Sequence, residues 1–365
     1  MLASLSLVAT SCTTGEGVQR PGLSFAGTKI GFLFVGARDD LGYNQAAWEG
    51  SEAVAKAFPD LKVLRAERVP ETAAAGVAME KLIKEGARIL FPTSFGYLKW
   101  AVEVARRHPE VIVLHQGGLE PKPGLDNLGT YWGTVYEPVY QAGIAAGAAT
   151  TTNKLGFVAA FPIPATFANV NAFTLGARSV NPAARTTVSF TQDWCDPDTQ
   201  GRVAEELLAM GVDVLAQHQD CTTTILQVAE KAGIWSVGYH EDGSEVAPKG
   251  WLVGAVWNWG PLFVDLVKTV LDGEFAGNKY DGDYRGGYKT GNNPFVLTEP
   301  GPGVTAATAA LIVAAGERFR SGSSPFAGPL RDRDGGEQVA AGVTPSLEQT
   351  DAMDYFVDGV DGSIP

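Results

Sequence analysis

Several short segments of the 365-residue chain set aromatic rings beside amides and carboxylates, a combination that stacks on a planar heterocycle and hydrogen-bonds its edge. In Arg38-Asp39-Asp40-Leu41-Gly42-Tyr43-Asn44-Gln45, Asp39 and Asn44 can accept from and donate to such a ring while Tyr43 projects beside it. The alternative is that Asp40 or Asn44 caps a helix and Tyr43 covers a surface. Thr93-Ser94-Phe95-Gly96-Tyr97 offers a stacking ring at Phe95, or else a helix start with Phe95 in the core. In Asp193-Trp194-Cys195-Asp196, Trp194 is either a lid or a stacking platform. Gln217-His218-Gln219-Asp220 and Tyr239-His240-Glu241-Asp242-Gly243 bring Asp220 and Asp242, which either accept from ligand N–H and O–H groups or cap the helices that follow. Trp257-Asn258-Trp259-Gly260-Pro261 contains Pro261, suited to a first helical turn, and at least one tryptophan expected in a cleft beside Asn258.

These are binding groups rather than a reaction centre. The chain has no G-x-G-x-x-G after a strand, no G-x-x-x-x-G-K-[ST], no G-x-S-x-G, no H-E-x-x-H and no C-x-x-C. Its 4 histidines lack metal-ligand spacing, so neither a metal nor a cofactor is expected. A nucleoside hydrolase using Asp39, Asp220 or Asp242 as acid or base is the rival in another class, and it lacks a positioned nucleophile.

The elements that must carry these segments follow from periodicity. From Lys29 onward, short apolar runs alternate with helical-period segments, the signature of βαβ units and parallel sheets. Strands are expected at residues 30–35, 62–68, 89–92, 111–115 and 128–131, with helices at 46–58, 72–85 and 97–107 between them. The Ala- and Gly-rich stretch 137–150 reads as a tightly packed helix opening a second set. Its strands fall at 155–160, 187–191, 212–217, 235–239 and 252–256, and its helices at 170–180, 198–210 and 223–232. Two α/β lobes with a cleft between them result, and every segment named above lies at a strand's carboxyl end, where open α/β sheets bind ligands. Helix 261–271 is expected to return to the first lobe, 273–293 to form a loop with a short hairpin, 304–320 a helix, and 325–365 a polar tail.

Composition narrows the partners. With 28 Lys+Arg against 41 Asp+Glu the net charge is −13, and no dense basic cluster occurs, which excludes phosphate-backbone binding; no nucleic acid is expected. Met1 to Ser11 is apolar or small and precedes Cys12, which resembles a bacterial lipoprotein signal whose cysteine is lipidated; a frayed apolar terminus is the alternative. No basic residue precedes Arg20, so a start codon upstream is expected. Cys195 and Cys221 then form either one disulfide or two free thiols.

Taken in order, Lys29-Ile-Gly-Phe-Leu-Phe-Val-Gly36, Asp39, Gly42-Tyr43-Asn44-Gln45, Trp48-Glu49-Gly50, Thr93-Ser94-Phe95-Gly96, Tyr136-Glu137, Gly143, Phe161-Pro162-Ile163-Pro164, Asn171-Ala172-Phe173, Gly176-Ala177 and Asn258-Trp259-Gly260-Pro261 resemble the basic-membrane-protein-type, purine-nucleoside-receptor-like substrate-binding lipoproteins of bacterial ABC transporters. The resemblance implies a type I periplasmic-binding-protein fold: two Rossmann-like lobes, three crossovers, and closure on a ligand delivered to a membrane permease. Its implied organisation is a signal at 1–12, a tether at 13–27, lobe one at 28–132 plus about 258–280, lobe two at 133–257 plus about 281–325, and an extension at 326–365. It implies an extracytoplasmic, lipid-anchored monomer that binds a purine. Asp39, Tyr43, Asn44 and Phe95 would touch the base from lobe one, Trp194 would stack on it from lobe two, and Asp242 would meet its polar edge or ribose. Where nucleoside-binding members carry a lysine near the ribose, this chain has Trp257-Asn258-Trp259, which favours a free base such as adenine. A sugar or another small solute remains the alternative ligand, and a lipid-anchored sensor without transport the alternative role.

Overall fold

The computed structural model describes residues 27–117 and 124–365. Lobe one begins β1 (Lys29–Leu33), α1 (Tyr43–Ala57), β2 (Lys62–Ala66), α2 (Ala73–Lys84), β3 (Ala87–Pro92), α3 (Leu98–Arg107), β4 (Ile112–Gln116) and β5 (Leu128–Gly133). Lobe two follows as α4 (Tyr136–Ala149), β6 (Lys154–Ala159), α5 (Pro164–Val180), β7 (Arg185–Phe190), α6 (Pro197–Ala209), β8 (Val214–His218), α7 (Thr223–Ala232), β9 (Trp235–His240) and β10 (Trp251–Trp257). The chain then returns through α8 (Trp259–Leu271), β11 (Asp283–Gly286), β12 (Phe295–Leu297), α9 (Ala306–Arg320), β13 (Leu330–Arg331), β14 (Glu337–Val339), α10 (Leu347–Asp351) and β15 (Val360–Asp361).

The first sheet runs β11-β5-β4-β3-β1-β2, all parallel, and the second β12-β10-β9-β8-β6-β7-β15, parallel except for β12. Both are the doubly wound arrangement expected of the fold. Strands covered on both faces by helices read as continuous apolar runs, which is why Ile30, Phe32 and Leu33 of β1 are all fully buried. Phe32 stacks on Phe91 of β3 at 4.5 Å, and Phe263 of α8 closes the cluster 5.0 Å from Phe91. That contact ties the returning helix to lobe one, as expected.

Three differences from the sequence reading have physical causes. Helix α5 starts at Pro164, not at residue 170, because proline suits a first turn and the small residues after it hide the apolar period. Segment 273–293 forms no hairpin; β11 instead pairs in parallel with β5, so lobe one extends past the expected boundary at 280 to Gly286. The extension after 325 is ordered against lobe two, with Phe326, Met353, Phe356 and Val360 buried and β15 pairing with β7. Its anchors are isolated apolar residues without a period, so no pattern announced them.

The lobes exchange the chain three times, after β5, after β10, and between β11 and β12. Glu137, at the start of α4, gathers two of these crossings: its Oε2 accepts from the Thr134 hydroxyl, from Tyr288 N at 2.9 Å and from Asn293 Nδ2 at 3.2 Å. Burial raises its pKa above the ordinary carboxylate value while these donors oppose the rise. Asn258 N donates to Pro294 O at 2.7 Å, linking the second crossing to the third.

Helices α4 and α5 pack almost backbone to backbone. A Cβ on Gly143 would lie 2.1 Å from the Phe173 carbonyl oxygen, and one on Gly176 would lie 2.0 Å from that of Tyr140. Both clashes are with backbone, which has no rotamer to yield. Gly143→Ala is therefore expected to cost about 1–3 kcal/mol through overpacking. A urea titration checks it, with a lowered midpoint at unchanged slope as the expected result.

Candidate functional site

The carboxyl ends of both sheets converge between the lobes. On the lobe-one side, Asp40 organises the turn after β1: its carboxylate accepts from Gly42 N at 3.0 Å, Asn44 N at 3.2 Å, Gln45 N at 3.0 Å and Asn44 Nδ2 at 2.7 Å. Asn44 Oδ1 in turn accepts from Gly36 N at 2.8 Å. Asn44 is thus engaged in holding the loop, and Asp40 caps α1, the second of the two alternatives for this segment. The turn presents Tyr43 inward, partly buried beside Gln116. Burial holds its hydroxyl well above the ordinary phenol pKa, with the Gln116 amide opposing and Asp220 adding to the rise.

Tyr43 reaches lobe two. Its ring meets that of His240 edge-on at 5.7 Å and lies 6.3 Å from Trp132 at the end of β5. Trp132 in turn packs at 4.6 Å on Trp257, which stacks on Trp259 at 4.3 Å. Trp259 is core, because its ring continues onto Phe263 at 5.5 Å; Trp257 is the tryptophan of the pair that meets the site.

The hydrogen bonds here have a defined direction. An indole nitrogen only donates, so the 2.9 Å contact from Trp257 Nε1 to His240 Nδ1 makes Nδ1 an acceptor. The proton of neutral His240 is then on Nε2, which points at Asp220 Oδ1 at 3.2 Å. Trp257, His240 and Asp220 line up as a relay: the indole hydrogen bond fixes the imidazole, whose Nε2 stands 3.2 Å from the Asp220 carboxylate. Beside it, His218 packs 4.8 Å from Tyr239 and 5.4 Å from Trp194, whose ring also meets Phe161 at 5.5 Å. Burial, reinforced by His240, pushes the His218 pKa down to about 3, so it is neutral. Its Nδ1 faces Asn169 Nδ2 at 3.2 Å, and Asn169 also donates to the Tyr239 hydroxyl at 2.8 Å.

The loops that carry Trp194 and Asp220 are joined covalently. Cys195 and Cys221 form a disulfide with Cα atoms 5.3 Å apart, although β7 and β8 lie on opposite sides of β6. Asp220 N also donates to Trp194 O at 2.9 Å, and buried Gln200 donates to Asp220 O at 2.8 Å. Across the cleft, Thr222 Oγ1 donates to Leu41 O at 2.7 Å, so the structure is a closed form. Leu41, Gln192, Cys221 and His240 all take left-handed backbone angles, with φ of 44°, 61°, 53° and 69°. Leu41, Gln192 and Cys221 follow strands and His240 ends one at this edge of the sheets, and such strain concentrates at ligand clamps.

Of the residues expected at the site, Tyr43, Trp194, Asp220 and Trp257 come together. Asp39, Asp242 and Asn258 stand exposed, Asp242 accepting from Ser244 N at 2.9 Å in a local turn. Phe95 is 61% exposed, neither in the core nor in the aromatic cluster. Its loop is held by Glu71, which accepts from Ser94 Oγ and from Gly96 N at 2.9 Å. Sequence reasoning passed over Gln116, Trp132, Phe161, His218 and His240. Two of these carried a usable signal, since His218 and His240 end adjacent strands. The lipidation expectation at Cys12 lies outside the described residues. Among the described residues no His, Cys, Asp and Glu side chains group to hold a metal ion, and no helix is long and apolar enough to cross a membrane.

The profile of the family described as ABC transporter substrate-binding protein PnrA-like matches residues 27–284. A purine-binding protein of Brucella abortus (strain 2308) is 31% identical over 339 residues, covering 92% of this chain and 94% of that protein. A Haloferax volcanii protein provisionally named an ABC transporter glucose-binding protein is 30% identical over 335 residues, covering 92% and 80%. Among solved structures, an ABC transporter solute-binding protein from Aeropyrum pernix K1 superposes with a TM-score of 0.70 at 17% identity, covering 88% of this chain and 95% of that one.

In the chain without residues 1–12, the disulfide predicts no thiol titratable under denaturing conditions before reduction and 2 after it, since the sequence contains 3 cysteines including Cys12.

Proposed function

Because the chain belongs to the PnrA-like family of ABC transporter substrate-binding proteins, an extracytoplasmic receptor family that hands small solutes to a permease, we propose that its cargo is a purine, with the free base bound ahead of the nucleoside. Receptors of this family are in general not enzymes. The observation that carries the reading is the relay from Trp257 through His240 to Asp220. It leaves at the cleft an acceptor carboxylate flanked by rings from both lobes, a match for a flat heterocycle with N–H donors. Trp257 fills the place where a ribose-facing cation would be needed.

In this reading the base slips between Tyr43 and Trp132 on one side and Trp194 on the other, with a ring N–H or amino group on Asp220. Asp39, Asn44, Phe95, Asp242 and Asn258, not gathered in the closed cluster, act on the approach or hold the loops. Each aromatic pair contributes roughly 0.5–1.5 kcal/mol beyond area burial, and a hydrogen bond to a charged carboxylate about 1.5–3 kcal/mol. Together these suit a Kd of about 1 μM or tighter. Closure turns on the three crossings, and Cys12 supplies the membrane anchor of a monomeric receptor.

A sugar is the second reading, favoured by the provisional name of the Haloferax volcanii relative, because rings and a carboxylate also suit a pyranose. Calorimetry of the chain without residues 1–12 against adenine, adenosine, hypoxanthine, glucose and ribose separates the two. Adenine is expected to bind at least about tenfold more tightly than adenosine, and Asp220→Asn to weaken adenine by about 10–100-fold, the value of a charged hydrogen bond. Equal binding of adenine and adenosine would refute the base preference, and binding of glucose alone would replace the purine with a sugar.

A further inference from the structure

Glu241 follows His240 at the end of β9 and is 9% exposed in the closed form, with Oε1 buried and without a hydrogen-bond partner among the described residues. An unpartnered buried carboxylate is costly when ionised. The charged groups that bear on it most are themselves carboxylates: Glu49 on α1 and Asp40 on the turn before α1, both in lobe one, and Asp242 on its own loop. Asp40 is fixed by the donors of the α1 turn and cannot swing away without undoing it, while Glu49, exposed on α1, accepts from Gln45 Nε2 at 3.2 Å. Glu241 therefore keeps a dry, unpartnered Oε1 in a field set by lobe-one carboxylates as well as by its own loop.

We propose that closure of the lobes takes up a proton at Glu241, so that ligand capture is coupled to pH. The proposal goes beyond the purine reading and rests on it only through the ligand chosen as probe. Burial first, then Glu49 and Asp40, raise the Glu241 pKa in the closed form to about 8 from an ordinary 4.5. In the open form the lobe-one carboxylates move off and water returns, which takes the group back toward the ordinary value. Below both values the carboxyl is protonated open or closed, and closure is unaffected. Between them closure must bind a proton, so affinity falls as pH rises, by up to about tenfold per unit for one fully coupled proton. Above the closed-form value the loss is complete.

The test is calorimetry with adenine on the chain without residues 1–12 at pH 5.5, 6.5, 7.5 and 8.5, in pairs of buffers with different ionisation heats, beside Glu241→Gln. The wild type is expected to take up close to one proton per adenine near neutral pH and to lose about tenfold or more in affinity from pH 5.5 to 7.5. Glu241→Gln is expected to take up none, to keep its affinity across the range, and to bind more tightly than the wild type at pH 8.5. The same slope and proton count in both chains would overturn the proposal, as would loss of binding by Glu241→Gln at every pH, which would make Glu241 a ligand contact. If adenine binds neither chain at any pH, the purine reading fails, and the same paired titrations with whichever of adenosine, hypoxanthine, glucose and ribose binds decide this one: about one proton taken up per ligand by the wild type and none by Glu241→Gln supports the coupling, and equal counts in both chains overturn it.

Discussion

Two sheets that must part and rejoin depend on a hinge that does not let them drift. That hinge rests on one buried carboxylate. Glu137 accepts from the first and third chain crossings, through Thr134, Tyr288 and Asn293, and the second crossing is attached to the third through Asn258 and Pro294. A buried acceptor with three donors is satisfied in one geometry only, so the crossings bend together rather than separately. The backbone contact between α4 and α5 adds stiffness on the lobe-two side of the same joint. Rigid lobes on a constrained hinge bring Tyr43 back to His240, and Leu41 back to Thr222, each time the cleft closes.

The interior of the cleft obeys a second constraint, that of donor direction. An indole can only donate, and that single fact orients His240 and, through it, Asp220. Trp257, packed between Trp132 and Trp259, is therefore also the residue that sets the polarity of the site. Tyr43 and His218 are kept neutral by burial, which leaves Asp220 as the carboxylate fixed by the relay within the ring cluster. Glu241, one residue beyond His240, faces the opposite demand, being buried among like charges.

Much of the fold was legible because its strands are buried on both faces and its helices are not: the alternation of apolar runs with amphipathic segments carries both lobes through β10. Legibility ended where burial is achieved by single residues. The extension is held by Phe326, Met353, Phe356 and Val360, spaced without a period, and β11 is a four-residue strand recognisable only by its partner. At the site, aromatic residues beside carboxylates at strand ends pointed to Tyr43, Trp194, Asp220 and Trp257, which the fold brings together. Asp39, Asp242 and Asn258 share that chemistry and differ only in the direction of a loop, which local sequence does not encode. Gln116 and Trp132 sit inside apolar strands, where a buried polar or aromatic residue looks like core. His240 was weighed only for metal-ligand spacing, which it lacks, whereas its partner is an indole seventeen residues on.

The sheets are completed out of order. β11 closes the edge of lobe one only after β6 to β10 of lobe two have been made, and β15 reaches back to pair with β7. Neither lobe is an uninterrupted stretch of chain, and the pairings that finish each are among the most distant in the sequence. Long-range pairings are slow to form. A chain emerging residue by residue thus holds two sheets with raw edges until β11 and β15 arrive, and loss of β15 would leave β7 as an open edge available to another chain.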